Sequence, residues 1–221
     1  MQLSKYITKY IEEKKIRKVF MLSGTGSIYL DDAFSKSKKL SYICARHEAA
    51  AVMMANATSK LNGTVGVVVA TTGPGGTNAI GGLTESWVDS VPILVISGQT
   101  FSHQISSKAR SFGLQGFNII DNVKKITKYS AIINDPKEIK YHLDKAFYYA
   151  TEGRPGPVWL DIPMNIQAAD IKPNLLKSFK KKDKIKKADI SKYKKLNKIL
   201  NHSKNPVVLF GQGIRISKSI N

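Results

Sequence analysis

The 221-residue sequence predicts an α/β fold, a doubly wound, mostly parallel sheet flanked by helices, followed by a linker and a truncated second α/β domain. Three observations carry this. Apolar runs at 65–70 and 92–97 show no polar alternation, the pattern of strands buried on both faces of a sheet. Segments with helical spacing stand between the runs, so the strands are joined by crossovers and lie parallel. Polar or glycine-rich turns at 23–27, 46–48 and 71–78 follow three of the strands.

Taken in order, residues 3–16 form an amphipathic helix, with Leu3, Ile7 and Ile11 at helical spacing. Residues 18–22 are a short strand ended by Ser23-Gly24-Thr25-Gly26-Ser27. A helix at 28–35 and a strand at 40–44 come next. Arg46-His47-Glu48 then opens an alanine- and methionine-rich helix, 48–61, stopped by Asn62-Gly63. The strongest strand, 65–70, ends in Thr71-Thr72-Gly73-Pro74-Gly75-Gly76-Thr77-Asn78, and a helix follows to about Val88. After the strand at 92–97, residues 101–123 have weak periodicity and read as loop and short helix over a sheet edge. A strand at 126–133, a helix at 136–151 and a last strand at 157–161 complete the first domain, set at 1–170.

A lysine-rich linker, 171–189, leads into 190–221, where a helix at 190–201 and a strand at 206–210 precede Gly211-Gln212-Gly213. About thirty residues are too few for a domain, so the end of the chain is expected to be an interruption.

Composition narrows the function classes. The single cysteine, Cys44, rules out an intrachain disulfide and fits a reducing, cytoplasmic setting. No apolar run approaches the ~20 residues of a membrane span, and the N-terminus lacks the apolar core of a signal peptide. The formal charge is +19, and the stretch 171–204 supplies +11 of it, with thirteen lysines against Asp183 and Asp189. That stretch has no arginine and few aromatics to stack bases, so it reads as a solvated linker, and neither nucleic acid nor membrane is expected as a partner. His47, His103, His142 and His202 pair with nothing at ligand spacing, so no metal site is expected within the chain.

In open α/β sheets, ligands sit at the carboxyl ends of strands, where the three turns converge. Glu48 has two readings there. One is a first-turn carboxylate placed well for the helix dipole. The other is a carboxylate sunk at a strand end that shares a proton with a ligand nitrogen. The 73–78 turn lets backbone approach a ligand closely and offers free amides, but it lacks the lysine of a phosphate-binding loop.

The stretch RHEAAAVMMANATSKLNGTVGVVVATTGPGGTNAIGGLTESWVDSVPILVISGQ (46–99) resembles the pyrimidine-binding domain of acetolactate-synthase-like thiamine-diphosphate enzymes. RPGPVWLDIPMNIQ (154–167) resembles the end of that domain, and NPVVLFGQG (205–213) the start of the family's middle domain. The resemblance implies that Glu48 hydrogen-bonds the cofactor's aminopyrimidine and activates the cofactor to attack a 2-keto acid such as pyruvate. It places Pro74, Gly75 and Asn78 beside that ring, Gly24 and Gly26 in the first active-site loop, and Gln115 on the substrate side.

The resemblance further implies a homodimer or homotetramer, magnesium and diphosphate held by a separate C-terminal domain, and FAD in some members. Two segments depart from the acetolactate synthase pattern. Ser23-Gly24-Thr25-Gly26 stands where Pro-Gly-Gly is usual, and Leu114-Gln115-Gly116 where Phe-Gln-Glu is usual. Decarboxylases and lyases of the family therefore stay open. No Gly-Asp-Gly is present, which leaves three readings: a fragment of a complete enzyme, a half-enzyme completed by a second chain, or a non-enzymatic basic interaction module.

Overall fold

The computed structural model describes residues 1–106, 108–180, 189–217 and 219, so residues 181–188 of the expected linker lie outside the described residues. The chain divides into two compact units, Met1–Phe179 and Lys180–Asn221.

The first unit is built on six parallel strands: β1 (Lys18–Met21), β2 (Ser41–Cys44), β3 (Gly66–Ala70), β4 (Ile93–Gln99), β5 (Tyr129–Ile132) and β6 (Val158–Pro163). Their order across the sheet is β2-β1-β3-β4-β6-β5. The chain steps outward from β1 to β2, then crosses back to place β3 on the other side of β1. β1 and β3 therefore flank a topological switch point, where a crevice opens at the carboxyl ends of the strands. The doubly wound parallel fold expected from the sequence is the fold observed.

Alternating residues of each strand feed two cores. Val67, Val69, Leu94, Ile96 and Leu160 face one side, covered by α1 (Leu3–Glu13), α2 (Ile28–Ser35), α6 (Ile139–Thr151) and α7 (Met164–Ala168). Val68, Val95 and Trp159 face the other, covered by α3 (Glu48–Asn62), α4 (Pro74–Val88) and α5 (Ile119–Val123). This period-two division is what the uninterrupted apolar runs require.

Several boundaries differ from those expected. The first helix stops at Glu13 rather than residue 16, because Lys15 takes a positive φ of 61°. β4 runs on to Gln99 and β6 to Pro163, which carries Gly98, Gln99 and Asp161 within the ladder toward the carboxyl edge.

In the second unit, α8 (Ile190–His202) is capped by Asp189, whose side chain accepts from the Ser191 N–H at 3.1 Å. A short helix, α9 (Gly213–Ile216), follows. Residues 206–210, expected as a strand, form none, and Val207 and Leu209 are 93% and 96% exposed. A parallel strand needs a neighbour to hydrogen-bond, and among the described residues of this unit there is no other strand.

Candidate functional site

The site builds up from the carboxyl ends of β1, β2 and β3. β2 delivers the chain to His47, whose extended backbone and Nδ1 atom cap α3, Nδ1 accepting from the Ala49 N–H at 3.2 Å. His47 is thus a capping residue. Glu48 begins the helix, and its side chain is buried, 4% exposed. Its Oε2 accepts from Asn78 Nδ2 at 3.0 Å. Among the described residues no cation pairs with it. Stability alone does not favour a buried carboxylate with a single neutral partner. Glu48 is thus both at the helix start and buried.

The turn after β3 supplies the opposing wall. Gly73 has a φ of 63°, a conformation that glycine adopts without strain. Pro74 then starts α4 with its φ already set. A Cβ placed on Gly75 would lie 2.8 Å from Thr71 Cγ2 and 3.4 Å from Glu48 Oε1. Residue 75 must therefore be small because the turn packs against Thr71, and its backbone lies beside the Glu48 carboxylate.

The first loop joins this group through Thr71. The Gly26 N–H donates to Thr71 Oγ1 at 3.1 Å, and a Cβ on Gly24 would come within 2.6 Å of the Thr71 side chain. On the far side, a hairpin closed by the Phe112 N–H donating to the Gly116 carbonyl at 2.9 Å presents Gln115, which adopts a φ of 59°. The Gln115 carbonyl oxygen lies where a Cβ on Gly73 would stand, 2.3 Å from it. A cavity of about 560 Å³ results, with Gly24, Gly26, Thr71, Leu114, Gln115 and Met164 in its lining. Glu48, Gly75 and Asn78 form a second group outside that lining, and Thr71 touches both. Of the departures noted in the sequence at 23–26 and 114–116, Gly24, Thr25, Gly26, Leu114 and Gln115 sit in the cavity wall.

Three contributors were not singled out in the sequence. Thr71 is the first; its position in the 71–78 turn marked the segment but not its bridging role. Asp31 is the second, in the first turn of α2. Its Oδ2 accepts from the Gly24 N–H at 3.2 Å and from Ser27 Oγ at 2.9 Å, tying the first loop to the helix. Burial pushes its carboxyl up to about 6, against the lowering pull of those two hydrogen bonds. A proton taken up on folding stabilises the fold, fully so below the ordinary value of 3.8, and the contribution is lost as pH rises through about 6. The urea midpoint is expected to fall relative to that of Asp31→Asn between about pH 4 and pH 7. A difference flat across that window contradicts this assignment. Asp161 is the third, wholly buried in β6 against Ser97 and Gln99.

Residues 1–124 match the family model for the thiamine pyrophosphate enzyme, N-terminal TPP binding domain. The acetolactate synthase large subunit of Lactococcus lactis is 33% identical over 221 residues, covering 98% of this chain and 37% of that protein. The chloroplastic acetolactate synthase of Arabidopsis thaliana is 30% identical over 211 residues, covering 94% of this chain and 31% of that protein. The isozyme 3 large subunit of Escherichia coli is 34% identical over 160 residues, or 72% and 27%. The chain spans about a third of the length of the curated relatives it matches. No helix among the described residues is long and apolar enough to cross a membrane. With its parallel sheet, its switch-point loops and these matches, the chain belongs to the thiamine pyrophosphate enzymes, as an acetolactate-synthase-like N-terminal domain.

Proposed function

We propose that this chain is the N-terminal part of a thiamine-diphosphate-dependent 2-keto-acid carboligase or decarboxylase, in which Glu48 activates the cofactor through its aminopyrimidine ring. The observation that carries this reading is the buried Glu48 carboxylate facing the side-chain-free wall at Gly75. A buried carboxylate beside a turn of bare backbone suits a ring nitrogen of a flat heteroaromatic ligand. When bound, the cofactor supplies an electron sink for decarboxylation.

The residues of the chain have separate tasks in this reading. Asn78 occupies Glu48 Oε2, which leaves Oε1, the oxygen nearer Gly75, to exchange a proton with the ring. Pro74, Gly75 and Asn78 hold the ring's edge, and Gly24 and Gly26 form the facing loop. Gln115 serves the 2-keto acid, with pyruvate as the first candidate. The domain limits 1–170, 171–189 and 190–221, a homodimeric or homotetrameric assembly, a cytoplasmic location, magnesium bound by a C-terminal domain and FAD in a middle domain belong to the same proposal.

The complete protein is expected to consume pyruvate or another 2-keto acid only when thiamine diphosphate and magnesium are supplied. Consumption that is indifferent to the cofactor, or absent across a panel of 2-keto acids, overturns the proposal.

A further inference from the structure

Below the cavity, four buried polar side chains form one connected network. Asp161 Oδ1 accepts from Ser97 Oγ, and Ser97 Oγ accepts in turn from Trp159 Nε1 at 2.7 Å. Asp161 Oδ2 accepts from Gln99 Nε2 at 2.8 Å. The same Gln99 nitrogen donates to the Phe117 carbonyl at 3.0 Å, and Gln99 Oε1 accepts from the Thr100 N–H at 3.0 Å. Phe117 directly follows the hairpin that carries Gln115, and Thr100 lies in the cavity wall. Trp159, at the other end of the network, is 3.7 Å from where a Cβ on Gly76 would sit, beneath the first turn of α4.

An amide can be turned either way, and here its orientation decides what it binds. An ionised carboxylate only accepts. Opposite Asp161, Gln99 must therefore present its NH2 group, which leaves its second N–H for Phe117 and its oxygen for Thr100. Turned over, it would set oxygen against oxygen at Asp161 and lose both wall contacts. We propose that Asp161 is a positioning residue, fixing the Gln99 amide and, through its bond to Phe117, the adjoining Phe112–Gly116 hairpin in the cavity wall. The consequence for catalysis rests on the function proposed above, whereas the positioning itself does not.

The surroundings suit an on–off response. Burial pushes the Asp161 carboxyl up to about 7, and the hydrogen bonds from Ser97 and Gln99 pull it down. Neighbouring β4 faces it with those two side chains. On β5, Ile132 is its ladder partner. α5, packed on β6, turns Ile119, Ile120 and Val123 inward, and its Asp121 is exposed and paired at 3.2 Å with the exposed Lys124 that follows the helix. α6 and α7 cover the opposite face of the sheet, with Leu143 and Ile166 in its core. No charged group contributes to the Asp161 shift among the described residues.

The test reads the network by nuclear magnetic resonance in the full chain carrying Trp87→Phe, so that Trp159 is its only tryptophan. The Trp159 indole N–H, the Thr100 amide and the hairpin amides of Gly113 and Gly116 are expected to shift together with pH, with one midpoint near 7. Gln99→Met should leave the indole titrating and silence the hairpin amides, which isolates Gln99 as the link. Asp161→Asn should silence them all; should that variant not fold, the titration of the Trp87→Phe chain and the Gln99→Met comparison still decide. Hairpin amides that do not titrate with the indole, or that still titrate in Gln99→Met, overturn the proposal. In the complete protein, Gln99→Met is expected to raise KM for the 2-keto acid about tenfold, the equivalent of one hydrogen bond, with kcat little changed. Loss of all activity in the unmutated protein would speak against the proposed function, and the resonance data would still stand or fall alone.

Discussion

Glu48→Gln in the complete protein is expected to lower turnover by about 10²–10⁴-fold, the range for removing a positioned proton-transfer group, with the fold retained. The structural half of this expectation comes from Asn78. Its Nδ2 donates to Glu48 Oε2, and a glutamine oxygen accepts that bond equally well. The substitution also keeps the side-chain volume at a buried position, so it costs little stability. The chemical half comes from Oε1, where an amide can neither take nor release the proton that a carboxylate exchanges. Turnover is read by steady-state assay and the fold by thermal melting. Turnover within a few-fold of the unmutated protein removes Glu48 from its role. A melting point that collapses would show instead that the carboxylate is needed for folding.

The second large effect is structural. Gly98→Ala in β4 would put a Cβ 2.0 Å from the Gly26 carbonyl oxygen, 2.3 Å from the Gly26 carbonyl carbon and 2.6 Å from the Ser27 nitrogen. All three atoms are backbone, so no side-chain rotation relieves the overlap, and the first loop must move off the sheet. A loss on the order of 3–5 kcal/mol is expected, large for a single methyl group. Gly81→Ala is the matched control. Its Cβ would meet only Ala49 Cβ, at 4.0 Å, in the interior of α4. Helix propensity then makes it neutral to stabilising, by up to about 1 kcal/mol. Urea unfolding of both variants checks the pair; equal stabilities would contradict the close approach of the first loop to β4.

These two residues show what the sequence made legible. The local context of Glu48, a strand, a polar turn and an alanine-rich helix, marked its place but left its ordinary dipole reading open, and the family resemblance is what singled it out. The 71–78 turn was readable as punctuation between a β-branched run and a helix. Gly98 was not, because its constraint comes from loop 23–27 lying across β4, a contact between residues more than seventy positions apart. The role of Thr71 likewise depends on β1 and β3 being neighbours, which follows from sheet order and not from any local pattern. Asp161 sat in the run VWLDIP, where one acid among apolar residues passes for a strand end, and only the pairing of β6 with β4 sets it against Ser97 and Gln99. The run at 206–210 shows the converse. Its composition is that of a strand, yet strand formation needs a partner, and none is present among the described residues of its unit.

Asp31 illustrates a subtler limit. Its place in the first turn of α2 gives it an ordinary helical explanation, and the sequence offers no reason to look further. Only the return of the Gly24 N–H to its carboxylate, seven residues back along the chain, connects it with the cavity. The loop that departs from the acetolactate synthase pattern is thus anchored by an acid on the following helix, and its conformation is set by more than its own glycines.

The central claim is that Glu48 exchanges a proton with the bound cofactor, and one measurement isolates that step from all later chemistry. With thiamine diphosphate supplied to the complete protein, quenched-flow sampling in deuterated solvent would follow exchange of the cofactor's thiazolium proton without any 2-keto acid. The account predicts that Glu48→Gln slows this exchange by at least about 10²-fold with the cofactor still bound. An exchange rate unchanged by the substitution would contradict it.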